Sequence, residues 1–137
     1  MTPLLRLFVS CGLVLAHSLA FAAWVEVEKF EDNTRVFVDP ASAQRSGDIA
    51  RVTHLVRWGE VQADEGIPVY RSTVVHSTYD CEKKLEKFIS SMAYSGTMGN
   101  GTEVLEDDNA APDWYSISPD SMEEKLWQAA CRGKEAR

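Results

Sequence analysis

The side chains able to do chemistry are few and scattered. His54 and His76 fall in segments that read as neighbouring strands. Facing each other, with a carboxylate added, they have the makings of a metal site; otherwise they are half-buried polar residues of a sheet, the reading adopted. Glu106-Asp107-Asp108-Asn109 is acidic enough to attract calcium but lacks the alternating ligand spacing of a calcium loop, and it reads as solvated loop. Residues 96–101 are glycine-rich, yet neither a lysine nor a helix start follows as in a phosphate cradle, so they read as a turn. No Ser-His-Asp grouping has motif context, and no GxSxG occurs. The expectation is a protein that is not an enzyme, with no cofactor and no metal.

One basic run remains. Lys83, Lys84 and Lys87 stand in Glu82-Lys83-Lys84-Leu85-Glu86-Lys87 and are the candidate contacts for an acidic ligand or glycosaminoglycan. The competing reading is a solvated strand edge that lysine guards against aggregation. Trp24, Trp58, Trp114 and Trp127 have faces that can stack on a ligand, although core packing is the default for aromatics this numerous in so small a chain.

The three cysteines divide by compartment. Residues 1–22 read as a secretory signal peptide. Arg6 supplies the positive start, residues 7–16 are apolar but too short to span a bilayer, and Ala20-Phe21-Ala22 is a small-x-small cleavage pattern before Ala23 and Trp24. Phe8-Val9-Ser10-Cys11 faintly resembles a lipoprotein box, but phenylalanine is a poor residue three before the cysteine and the apolar run continues past it, so no lipid anchor at Cys11 is expected. Residues 23–137 then form a single domain with no transmembrane segment, exported to the periplasm or outer surface of a bacterial cell. Two cysteines are left in 115 residues, which implies one disulfide, Cys81–Cys131. It closes a loop of 51 residues, for which chain entropy gives about 4 kcal/mol. Losing Arg6 takes the net charge from −7 to −8, which argues against nucleic acid and anionic lipid as partners.

These residues must be positioned by a sheet. Residues 24–30 alternate as a first strand, residues 31–34 turn, and residues 35–38 return as a hairpin partner stopped by Asp39-Pro40. Residues 41–46 suggest a helical turn. Residues 49–61 give the longest strand, with Val52, His54, Val56 and Trp58 on one side and Arg51, Thr53, Leu55 and Arg57 on the other. Residues 69–79 form its antiparallel neighbour across a short acidic loop. Residues 81–95 fit a helix through Cys81, Leu85, Phe88 and Met92, and equally a strand through Phe88, Met92 and Tyr94; periodicity leaves both open. Residues 103–105 suggest a last short strand. The C-terminal helix is the best-marked element, with Ser118-Pro119 as N-cap and first residue, or Ser121 with Glu124 as a capping box. Its apolar stripe of Met122, Leu126 and Ala129 must pack on the sheet, where Cys81–Cys131 would pin it. Open sheet edges allow a homodimer.

Several of these landmarks together resemble the bacterial surface-adhesin protein E family: Trp24-Val25, Val38-Asp39-Pro40 with Ser42, Tyr79-Asp80-Cys81, Tyr94-Ser95-Gly96, Met98-Gly99, Gly101, Trp114, Ser118-Pro119 with Ser121, and Cys131. The resemblance implies an α+β fold, an exported antiparallel sheet of about six strands with the C-terminal helix docked on it, and residues 81–95 as strand. It implies a role in binding host extracellular-matrix proteins, vitronectin and laminin, through the basic region after Cys81. The charges of that region mostly cancel here. The alternative is a periplasmic structural or accessory protein with no host ligand.

Overall fold

Alternation of valine with hydroxyl and charged residues draws residues 25–94 into strands. The computed structural model describes residues 23–135; the leader and Cys11 lie outside them. Six strands pair in chain order, each antiparallel to the one before: β1 (Val25–Lys29), β2 (Arg35–Ser46), β3 (Ile49–Gln62), β4 (Tyr70–Asp80), β5 (Leu85–Tyr94) and β6 (Glu103–Asp107). Two-residue strands extend the sheet. β7 (Tyr115–Ser116) pairs with β5 beyond the reach of β6, and β8 (Lys134–Glu135) lies parallel to the end of β2. One helix, α1 (Met122–Cys131), packs on one face. The expected antiparallel sheet with a C-terminal helix and one disulfide is the observed one.

Two local expectations change. β2 does not stop at Asp39-Pro40, and residues 41–46 are not helical: the strand runs on to Ser46 through an irregularity between Asp39 and Gln44. Pro40 is tolerated because a bulge needs no ladder N–H there. Ser42 repairs the ladder. Its hydroxyl donates to the Asp39 carbonyl at 2.7 Å and accepts from the Thr53 N–H at 2.8 Å. Residues 85–94 are strand, as the resemblance implies, after a turn at 81–84. Ladder bonds from β4 on one side and from β6 and β7 on the other outweigh the helix propensity of residues 82–87.

The helix starts one turn later than Ser118 suggests. Ser121 is the N-cap, its hydroxyl accepting from the Glu124 N–H at 3.1 Å, and Pro119 sits in the approach to it. Leu126 and Ala130, four apart and both 0% exposed, drive into a core of Val36, Val38, Ala50, Val52, Tyr79 and Ile117. Burying a leucine of this kind is worth about 2 kcal/mol. Three ties hold the C-terminal half of the helix: the Cys81–Cys131 disulfide, with Cα atoms 5.7 Å apart, the Trp127 indole N–H to the Asp80 carbonyl at 3.1 Å, and the Arg45 guanidinium to the Cys131 carbonyl at 3.1 Å.

Among the described residues no helix packs on the second face, yet Leu55 on it is fully buried. The loop between β5 and β6 folds back to cover it. Ser72 clamps that loop, its hydroxyl donating to the Gly96 carbonyl at 2.6 Å and accepting from the Gly99 N–H at 2.9 Å. Gly99 has φ +67°, and a Cβ there would sit 3.0 Å from Val74 Cγ2 and 3.2 Å from Leu55 Cδ1. The glycine run is therefore a turn, as expected, and also a cover for one half of the open face. At the same end of β3, Gly59 lets the β1–β2 turn cross closely: a Cβ would lie 1.9 Å from the Asp32 carbonyl oxygen.

Candidate functional site

The three candidate lysines stand at the disulfide end of the sheet. Asp80 shapes the turn that presents them, its Oδ1 accepting from the N–H groups of Glu82 (3.0 Å) and Lys83 (2.8 Å). Lys84 then adopts a left-handed φ of 56°, which sends its side chain back toward α1. There it pairs with the Glu124 carboxylate and lies 5.5 Å from the Trp127 ring centroid. The bond from Lys84 holds the Glu124 carboxyl below the ordinary carboxylate range. Lys87, opposite Thr78 in the ladder, lies 5.9 Å from the Trp114 ring centroid. Lys83 is exposed. The structure thus divides the basic run: Lys84 is committed to the helix, while Lys83 and Lys87 face solvent and an exposed tryptophan. On the outer side of β5, Leu85 and Glu86 pair with β7 and residues 91–94 with β6, and Lys87 lies between the two.

A second site lies on the open face, where the glycine cover ends. Thr53 of β3 and His76 of β4 are direct partners in the ladder, and Thr53 Oγ1 lies 2.9 Å from His76 Nδ1. Around them is a groove of about 460 Å³, within the size range of small-ligand pockets. Arg51 and Thr78 line one end, Ser90 and Ile89 one wall, and Ser42 the other. Both walls come from irregular strands. The β2 bulge brings in Ser42, and a β5 bulge opposite His76 and Ser77 brings in Ile89. Bulges of this sort re-aim side chains beside binding sites.

His54 is elsewhere. The register puts it opposite Val38 and Val75, on the helix face, whereas His76 is on the open face. The two histidines do not face each other, and among the described residues no group of three metal-ligating side chains is brought together. His54 is 5% exposed and its Nδ1 has no hydrogen-bond partner. Burial first, and the nearby His76 second, pull its pKa down to about 4. On the same face the Tyr79 hydroxyl is buried without a partner. Its proton is held far more tightly than usual, by burial and then by the charge of Glu86. The Ser77 hydroxyl turns instead toward Glu86 Oε1, at 3.4 Å. Burial, and then Glu123, raise the Glu86 carboxyl above the ordinary range.

Sequence reasoning missed the groove as a unit. Its alternation signal was present, since Arg51 and Thr53 share one side of β3, but the register that sets His76 beside Thr53 and the bulges that raise the walls are tertiary.

The fold defines a class: a six-strand antiparallel meander backed by one disulfide-tied C-terminal helix. The chain belongs to the surface-adhesin protein E family, whose model matches residues 24–132; it is a family of adhesins, not of enzymes. The fold is that of Haemophilus influenzae protein E. One crystal form of that protein is 14% identical, with a TM-score of 0.63 over 82% of this chain and 89% of that one. Protein E from non-typeable Haemophilus influenzae is 15% identical, with a TM-score of 0.57 over 75% of this chain and 72% of that one. No curated protein matches the chain in sequence.

Proposed function

We propose that this protein is exported to the bacterial surface and attaches there to host extracellular-matrix proteins, vitronectin and laminin, through the turn and strand that carry Lys83 and Lys87. Membership of the surface-adhesin protein E family over residues 24–132 carries the reading. The geometry supports it by leaving Lys83 exposed and Lys87 against Trp114, itself 37% exposed, at one end of the sheet. An aromatic with an adjacent cation is a common anchor in protein interfaces. The overall charge of −7 does not oppose a local basic contact, because charges more than about 8 Å apart are screened at physiological salt. Lys84 serves the fold rather than the ligand. The test is binding of the oxidised protein to immobilised vitronectin and laminin at low and physiological salt. Saturable binding at physiological salt, weakened by Lys83→Gln with Lys87→Gln, is expected. Binding absent at physiological salt, or unchanged in the double variant, would sink the proposal.

A further inference from the structure

We propose that the groove on the open face binds a small hydroxylated carboxylate, a sugar acid of the hexuronate kind. This goes beyond matrix attachment and stands whether or not Lys83 and Lys87 hold a host protein. Three observations converge on it. First, the two irregular strands flank the same spot: the β2 bulge and the β5 bulge lie on opposite sides of the Thr53–His76 pair, so the sheet departs from regular pairing on both sides of one cavity. Secondly, the lining has a consistent chemistry. It holds one guanidinium, one imidazole and the hydroxyls of Thr53, Thr78 and Ser90, with no carboxylate, in a chain of net charge −7. Thirdly, Arg51 has no ion-pair partner among the described residues, and its neighbours across the ladder, Gln44 and Thr78, are uncharged.

The ligand follows from that chemistry. A planar guanidinium matches a carboxylate with two parallel hydrogen bonds. One arginine in an open groove suits a monoanion better than a phosphate dianion, whose second charge would lack a cation. A free amino acid fits less well, because no acidic group lines the groove to receive its ammonium. Threonine and serine hydroxyls both donate and accept, which is what a ring of sugar hydroxyls requires, and Ile89 offers an apolar wall for the C–H face of a pyranose. The Thr53 contact to Nδ1 of His76 fixes one side of the imidazole and leaves the other ring nitrogen for a ligand.

The test is a two-dimensional amide NMR titration of the oxidised protein with sodium glucuronate, with glucose as the uncharged control and acetate as the charge-only control. Glucuronate is expected to give saturable shifts centred on Thr53, His76 and Ser90, at an affinity at least about tenfold above either control. That factor corresponds to one charge-assisted hydrogen-bonded contact. Arg51→Gln is expected to weaken binding about tenfold or more, whereas Lys29→Gln, at the exposed end of β1 and outside the groove, leaves it unchanged. The spectra themselves report that each variant is folded. The proposal is overturned by absence of saturation into tens of millimolar, by an equal response to acetate or glucose, or by Arg51→Gln binding as well as the native protein.

Discussion

His54 makes the domain sensitive to mild acid, and the size of the effect follows from its burial. The imidazole is enclosed between Val38 and Val75 with Nδ1 unpaired, and its folded pKa is about 4 against the ordinary 6.5. The folded protein therefore keeps His54 neutral at a pH where the unfolded chain has already taken a proton. Wherever the unfolded state binds more protons, stability falls as pH falls. The window is from about pH 6.5 down to about pH 4, where the folded state also protonates. At 1.36 kcal/mol for each pH unit of that gap, the loss is about 2 kcal/mol by pH 5 and about 3 kcal/mol by pH 4. Other carboxyls titrate in the same range, so the measurement is a comparison: urea unfolding of the native protein and of His54→Leu at pH 7, 6, 5 and 4, with the disulfide intact. His54→Leu removes the titration and the unpaired nitrogen together while keeping an apolar contact for Val38 and Val75. The two curves should separate steadily below pH 6.5, with the native midpoint falling relative to the variant by about 1 M urea or more at pH 5. Parallel curves down to pH 4 would refute the argument and mean that His54 reaches water or a partner when protonated.

Three further outcomes are expected. Replacing Cys81 and Cys131 together by serine should cost up to about 4 kcal/mol of stability, the entropy of a 51-residue loop, read by urea unfolding; an unchanged midpoint would mean that the disulfide constrains nothing the fold does not already hold. Leu126→Ala, at a site with 0% exposure, should lose about 2–5 kcal/mol by the same assay, and a loss below 1 kcal/mol would show that α1 is not the element closing the core. Glu86 has a raised pKa, so the stability tied to its protonated form is present at low pH and lost as pH rises through that value. Glu86→Gln should therefore gain on the native protein between acid and neutral pH, and a constant difference between the two would contradict the burial assigned to Glu86.

The first hairpin, the antiparallel pairing of β3 with β4 and the role of the helix were legible because they rest on local pattern. Val52 and Val56 recur on one side of β3, and Met122 and Leu126 of α1 recur at helical spacing. What stayed hidden depends on partners distant in sequence. Residues 82–87 have helix-forming composition, and only ladder bonds from three other strands make the following residues extended. The continuation of β2 past Pro40 depends on a hydroxyl, that of Ser42, meeting the N–H of Thr53 eleven residues on. Of the candidate lysines, local sequence treats Lys83, Lys84 and Lys87 alike; a left-handed turn at Lys84 is what separates one from the other two.

The helix that closes the apolar face is the last long element of the chain, while the strands it rests on include the first three. The ribosome therefore makes all six strands of the meander before it makes the lid. Until Leu126 and Ala130 arrive, Val36, Val38 and Val52 line a bare surface, and one half of the disulfide waits at Cys81 for a sulfur fifty residues behind it. Early strands of this kind are open to pairing with any other unfinished chain nearby. A message truncated before the codon for Met122 would leave a ladder of strands with nothing to cover its oily side, and its expected fate is association with its own copies rather than a smaller working domain.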